Sequence, residues 1–168
     1  MLTRRTFTLA GLALGAGGAV LGARLSFAHG ADTHRDMNDI DWKALSKSEW
    51  KARLSPAQYA VLRKEATERP FSSPLNDEHR KGTFVCAGCA LPLFDSKTKF
   101  NSGTGWPSFF DHLPDAIATK RDYKLFTPRT EYHCARCGGH QGHVFKDGPA
   151  PTGLRYCNNG IALNFVPA

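Results

Sequence analysis

The spacing of apolar and polar residues changes rhythm once along the chain. Between residues 46 and 65 the larger apolar side chains recur three or four apart, Trp50 with Leu54 and Tyr59 with Leu62, as they do along one face of a helix. Each stretch opens on a capping box, Ser46-Lys47-Ser48-Glu49 and Ser55-Pro56-Ala57-Gln58. There a hydroxyl and a Glu or Gln three residues on satisfy amides that the first turn leaves free, and Pro56 stands where its missing donor costs nothing. Two short helices are expected, with their aromatics as packing residues. From Lys81 onward the apolar runs become short and are cut by Gly, Pro and Asn, at 83–85, 117–120, 123–126, 130–133, 144–145 and 161–166. No ten-residue stretch there keeps a helical period. Short strands joined by turns predict antiparallel sheets, because parallel strands need crossover helices. The expected fold is mainly β: two antiparallel sheets with short N-terminal helices.

The 168 residues, 41% hydrophobic and 22% charged, suffice for one compact domain with a core. They argue against a chain disordered throughout and against a multi-span membrane protein. The formal charge of +7 includes Arg4, Arg5 and Arg24, and the first 28 residues carry no acid; without them 19 basic residues face 15 acidic ones, or +4. That mild surplus lacks a long basic block, so no nucleic-acid partner is expected.

The amino terminus reads as an address. Arg4 and Arg5 precede an uncharged stretch from Thr6 to Ala23 and the small-x-small sequence Ser26-Phe27-Ala28, which suits signal cleavage. The twin arginine with Phe7 and Leu9 is similar to a Tat export signal. Five glycines make the stretch a poor permanent span, although an uncleaved anchor of the same length is the alternative. The organisation expected is a signal over 1–28, a flexible polar linker over 29–41, and a working domain over 42–168 that is exported to the periplasm without stable membrane insertion. His29 and His34 belong to the linker.

Cys86-Ala87-Gly88-Cys89 and Cys134-Ala135-Arg136-Cys137 are both C-x-x-C. A two-residue gap lets a tight turn bring both sulfurs to one metal, and two such turns complete a tetrahedral thiolate shell, so a structural zinc is expected on Cys86, Cys89, Cys134 and Cys137. Two disulfides are the rival in an exported protein. A thioredoxin-like redox pair should open a helix, and neither pair is followed by a helical pattern. Four filled positions leave none for catalysis.

Cys157 is the one cysteine without a pair. With Arg155 two residues before it and Asn158-Asn159-Gly160 after it, it reads as a reactive thiol rather than an inert core one. His140 and His143 lie in the glycine-rich run 138–143, directly after the second metal corner, and are read as a loop aimed for acid–base chemistry.

Thr67-Glu68-Arg69-Pro70-Phe71-Ser72, the run 91–100, Ser102-Gly103-Thr104-Gly105-Trp106-Pro107-Ser108-Phe109, the run 142–149 and Pro151-Thr152-Gly153-Leu154-Arg155-Tyr156-Cys157 together closely resemble the B class of methionine sulfoxide reductases, the peptide-methionine (R)-S-oxide reductases. The resemblance covers about residues 42 to 167. It implies two antiparallel sheets, one structural zinc on the four paired cysteines, and Cys157 as nucleophile. His140, His143 and Asn159 would be polar groups of the active site. Trp106 would pack against the sulfoxide methyl, and Arg155, with Asp147 supporting it, would complete the substrate site. The (R) stereochemistry comes with the resemblance alone. Oxidised proteins or peptides would be the substrate, in repair under oxidative stress, and a monomer is expected.

The residue types suit that reaction. A thiolate must attack a weakly electrophilic sulfur, the departing oxygen must gain protons, and the cysteine ends as a sulfenic acid. Many relatives carry a second cysteine in the loop before the tryptophan, where this chain has Thr104. An external thiol, from a thioredoxin-fold protein or a small molecule, is therefore the expected reductant. Gly160 stands where a serine is often seen. Two other classes remain: a non-catalytic zinc module that binds a partner, and a zinc hydrolase in which His140 or His143 replaces a thiolate.

Overall fold

The structure, a computed structural model, describes residues 40–124 and 127–168. The expected signal, and the linker apart from Ile40 and Asp41, lie outside them. Two helices come first, α1 (Lys47–Arg53) and α2 (Pro56–Lys64), and both capping boxes form. Trp50, Leu54, Val61 and Leu62 are buried. Among the described residues nine strands follow: β1 (Gly82–Cys86), β2 (Pro92–Asp95), β3 (Lys99–Phe100), β4 (Ser108–Phe109), β5 (Ile117–Asp122), β6 (Arg129–Cys134), β7 (His140–Phe145), β8 (Arg155–Asn158) and β9 (Leu163–Pro167). They make a three-stranded sheet ordered β2-β1-β9 and a six-stranded sheet ordered β3-β4-β8-β7-β6-β5, with every pair antiparallel. The expected class is thus the observed one. Among the described residues no helix is long and apolar enough to cross a membrane.

The two sheets meet through aromatic rings. Phe94 of β2 stacks on Phe109 of β4 at 4.1 Å, and Phe84 of β1 meets the same ring edge-on at 4.9 Å. Tyr132 and Tyr156 continue this layer along the six-stranded sheet. Side chains alternate across a strand, so with Tyr156 turned to the core, Arg155 and Cys157 point to the other face.

Three expectations need correction. Residues 123–126 do not continue as a strand: β5 stops at Asp122, whose carboxylate accepts the Lys124 amide at 2.9 Å and turns the chain, leaving Tyr123 exposed. Residues 125 and 126 lie outside the described set. The histidine run is not a loop, because His140 to Phe145 form the strand β7 between β6 and β8. An added Cβ at Gly142 would come within 1.9 Å of the Cys157 carbonyl oxygen, so this glycine is set by close approach and not by a turn. The run at 161–166 also begins later than expected, with β9 at Leu163, after a 3-10 turn over Gly160–Ala162.

Candidate active site and metal centre

The two C-x-x-C segments fold alike. Cys86 ends β1 and Cys134 ends β6; the Ala90 amide returns to the Cys86 carbonyl and the Gly138 amide to the Cys134 carbonyl, each at 2.8 Å. Ala90 and Gly138 both take positive φ to close the turn. The four buried sulfurs lie within 4.8 Å of one another, with Cys86 to Cys137 at 3.7 Å and Cys89 to Cys134 at 3.5 Å. A disulfide needs about 2.05 Å, so the rival reading does not describe this arrangement. A metal holding four sulfurs at about 2.3 Å spaces them about 3.8 Å apart along the edges of a tetrahedron, which these residues fit. The Gly139 amide and Gln141 Nε2 each donate to a sulfur at 3.4 Å, to Cys137 and Cys86, as suits thiolates. The site joins β1 of one sheet to the β6–β7 turn of the other, and α2 covers it: Arg63 donates to the Cys137 carbonyl at 2.9 Å and its guanidinium rests on Trp50.

Cys157 lies elsewhere, in the central strand β8. Its cross-strand partners are Ser108 on β4 and His143 on β7. Facing Cβ atoms in such pairs stand about 4.5–5.5 Å apart, so the register alone sets a hydroxyl on one side of the thiol and an imidazole on the other. A cavity of about 120 Å³ opens over them, lined by Thr67, Trp106, Arg129, Gly142, His143, Phe145, Cys157, Asn158 and Asn159. Thr104 Oγ1 approaches the Cys157 sulfur at 3.9 Å and belongs to a hydroxyl chain with Ser102 and Ser108, each link 2.8 Å. Burial pushes the Cys157 thiol above its ordinary value, while Thr104, the Arg155 charge and Ser108 pull the other way without overcoming it. The resting thiol therefore keeps its proton at neutral pH.

His143 Nε2 bonds Asp122 Oδ2 at 2.7 Å, and Arg129 Nη2 donates to the same oxygen at 2.6 Å. The Lys124 amide, His143 and Arg129 hold the Asp122 carboxyl well below the usual carboxylate range. An ionised carboxylate can only accept, so Nε2 carries the proton and Nδ1 keeps a lone pair. Burial lowers the His143 pKa, outweighing the pull of Asp122, and the ring is neutral at neutral pH. His140 is 2% exposed; its Nδ1 meets Glu131 Oε1 at 2.8 Å, and Nε2 has no partner among the described residues. Glu131 is bridged in turn to Lys120 at 3.0 Å.

A further set of bonds holds the rim. The backbone of Glu68 accepts from Trp106 Nε1 at 3.2 Å and donates to Asn159 Oδ1 at 3.0 Å, while its carboxylate takes the amides of Gly160 and Ile161. An added Cβ at Gly160 would meet Ser73 Oγ at 1.9 Å, so any larger residue here would have to displace the Ser73 side chain. Asn159 Nδ2 donates to the Gln141 carbonyl at 2.9 Å, so the oxygen and the nitrogen of the Asn159 amide each hold a bond. Tyr132, Asn158 and Gln141 form a buried chain that ends on the Cys86 sulfur and links the metal centre to the residue after Cys157.

Of the residues expected from sequence, Cys157, His143, Asn159 and Trp106 line one cavity. His140 lies behind it, its ring 5.6 Å from that of His143. Arg155 is not in the lining; it forms a two-pronged pair with Asp147 at 2.9 and 2.7 Å and rests on Phe145. Asp122, Arg129, Glu131, Glu68 and Gln141 were not foreseen. Apart from the Asp122–Lys124 turn, their partners are 7 to 93 residues away in sequence, and no local spacing marks them.

Comparison with known proteins gives the same grouping. The SelR domain matches residues 54–167. Among curated proteins, the peptide methionine sulfoxide reductase MsrB of Methanosarcina barkeri is 56% identical over 126 residues, covering 73% of this chain and 89% of the relative. The MsrB of Bradyrhizobium diazoefficiens is 54% identical over 123 residues (73% and 88%), and that of Agrobacterium fabrum 49% identical over 134 (78% and 99%). The two-sheet fold, the four-sulfur metal centre and these matches agree: the chain belongs to the SelR-domain family of peptide methionine sulfoxide reductases, MsrB.

Proposed function

We propose that this protein reduces the R epimer of methionine sulfoxide in peptides and proteins, with Cys157 as the attacking sulfur. The reading is carried by one observation: the single cysteine outside the metal cluster lies beside His143 in a cavity walled by the Trp106 indole. The sulfoxide methyl packs on that indole, and Cys157 attacks the sulfoxide sulfur. The proton of the thiol leaves as the S–S contact forms; His143, with Nδ1 unprotonated and Asp122 holding Nε2, carries it to the departing oxygen. The oxygen ends on Cys157 as a sulfenic acid, and methionine leaves. Cys157 is oxidised by two electrons and the substrate sulfur is reduced by two. His140 steadies His143 from behind, Arg155 with Asp147 favours the forming thiolate, and Asn159 holds the rim. The choice of R over S rests on the family.

Thr104 is the nearest hydroxyl to Cys157 where a second thiol could have stood, and the other four cysteines belong to the metal cluster. The sulfenic acid therefore reacts with an external thiol, from a thioredoxin-fold protein or a small molecule, releasing water and a mixed disulfide that a second thiol resolves. Zinc is the metal that four thiolates suit best, one per chain on Cys86, Cys89, Cys134 and Cys137. It supplies scaffolding only. Residues 42–168 form the reductase domain, behind a Tat-type signal over 1–28 and a linker over 29–41 that deliver it to the periplasm.

Turnover of the separated epimers with dithiothreitol as reductant tests the reading. Consumption of the R epimer alone, with a sulfenic acid trapped on Cys157 when the thiol is withheld, is expected. Equal consumption of both epimers, or an intramolecular disulfide at Cys157, would contradict it.

A further inference from the structure

Each imidazole of the site is held by a carboxylate, and each of those carboxylates carries a cation on its other side. His140 Nδ1 meets Glu131 Oε1 at 2.8 Å, while Lys120 bridges Glu131 Oε2 at 3.0 Å. At His143 the sharing is closer. Asp122 and Arg129 are cross-strand partners on β5 and β6, and Arg129 Nη2 and His143 Nε2 both bond the single oxygen Oδ2 of Asp122, at 2.6 and 2.7 Å. Arg129 keeps this place at a cost, because its Nε is buried without a partner among the described residues. The carboxylate of Asp122 is what holds it there.

A lone carboxylate beside an imidazole has two effects: it fixes the tautomer by accepting one ring N–H, and it stabilises the charged ring. A guanidinium on the same oxygen keeps the first effect and cancels the second. The Asp122 and His143 side chains are 6% and 13% exposed, so little water screens these charges. Burial already works against a charged His143, and the Arg129 cation adds to it against the pull of Asp122. The other groups that face the ring leave this balance in place. Glu131, its partner on β6, is matched by Lys120 of β5; Cys157, its partner on β8, is a thiol, with Arg155 paired to Asp147 on the same face; His140 lies on its own strand. On the rim, Glu68 turns its carboxylate to the amides of Gly160 and Ile161. We propose that Arg129 is a positioning residue of the reduction: by sharing Asp122 Oδ2 it lets the carboxylate orient His143 without charging it, so that Nδ1 stays free to take the Cys157 proton in mildly acidic surroundings. The inference rests on the reductase reading above, in which His143 carries that proton. Arg129 itself transfers none.

Two readouts track the proton in the unaltered protein and in Arg129→Met, Arg129→Gln and Arg129→Lys. The first is the single-turnover rate of methionine formation from N-acetylmethionine (R)-sulfoxide, without external thiol, across the acid side of neutrality. The second is the NMR titration of the His143 ring, whose signal is identified by its absence in His143→Gln. In the unaltered protein the rate falls towards low pH as the ring takes a proton. With the cation gone, the Asp122 charge is unopposed and the ring protonates at higher pH, so Arg129→Met and Arg129→Gln should raise both midpoints by about one pH unit, whatever the height of the plateau. Arg129→Lys keeps a cation and should leave both close to those of the unaltered protein. A purely structural role would lower the rate by one factor at every pH and leave the ring midpoint in place. That result, or a midpoint displaced as far in Arg129→Lys as in Arg129→Met, overturns the inference. A ring midpoint that moves while the acid limb of the rate does not overturns His143 as the proton carrier, and with it the part given to Arg129. Failure of the unaltered protein to form methionine at any pH overturns the reductase reading instead.

Discussion

The metal centre and the cavity are both built around cysteine, and they treat sulfur in opposite ways. At the first, turns at the ends of β1 and β6 converge four buried sulfurs, each within 4.8 Å of the rest, and amide donors point at two of them. Such a cluster is stable only if its charge is shared with a cation. At the second, one sulfur stands in mid-strand between a hydroxyl and a neutral imidazole, in surroundings that leave its proton on until a reaction removes it. A turn end gathers ligands around a point, whereas a central strand presents one group to a surface and flanks it by register. The difference in role follows from that difference in placement.

The comparison breaks most visibly on the metal side. Cys134→Ser should release the metal and, with binding worth on the order of 10 kcal/mol set against total stabilities of about 5–15 kcal/mol, abolish the cooperative unfolding transition. Metal analysis and circular dichroism read both effects. Cys157→Ser should do the reverse, holding one metal and an unchanged thermal midpoint while turnover falls by roughly 10³-fold or more. A Cys157→Ser protein that still turned over at full rate, or a Cys134→Ser protein that unfolded normally, would remove the division between the two.

A sharper cut falls within the cavity. Asp122→Asn places an amide opposite His143 Nε2, where the carboxamide can donate and turn the ring to its other tautomer, so kcat should fall by roughly 10²-fold. Asp122→Glu should recover part of this, and the metal content of both variants should match the unaltered protein. Equal losses in the two variants with a lowered thermal midpoint would mark Asp122 as structural only.

How much of this the sequence disclosed depends on the range of the interaction. The capping boxes at Ser46 and Ser55 and the metal pairs are local patterns, and each has its expected structure; Cys157, also marked locally, stands apart from the four-sulfur group. The strands β2, β3, β4 and β8 escaped because they are two to four residues long and rely on neighbours in the sheet and not on their own alternation. Only the first part of β7, His140 to His143, reads as a loop from sequence, because Gly138, Gly139 and Gly142 imitate a turn, while Gly142 in fact answers to the backbone of β8. Asp122 reaches His143 across β6, 21 residues away, and no periodicity encodes a bond across an intervening strand.

The smallest effect concerns the proton on Cys157. Its thiol lies above the ordinary value and the thiolate is the species that alkylates, so the rate with iodoacetamide should climb about tenfold per pH unit between roughly pH 7 and 8.5, with no plateau. Arg155 favours the charged form from the same face of β8. Arg155→Met removes that charge and frees Asp147, whose side chain is 60% exposed and regains water, so no buried ion is stranded. The sign follows: losing a neighbouring cation raises the pKa further, and alkylation at pH 7.5 should slow by about threefold. Above both pKa values the thiols are fully ionised and the two rates should converge. Arg155→Lys keeps a charge but not the two-pronged pair with Asp147 and should fall between them. A faster rate in Arg155→Met, or a plateau below pH 8 in the unaltered protein, would mean that burial does not govern this thiol and that the cavity holds a resting thiolate.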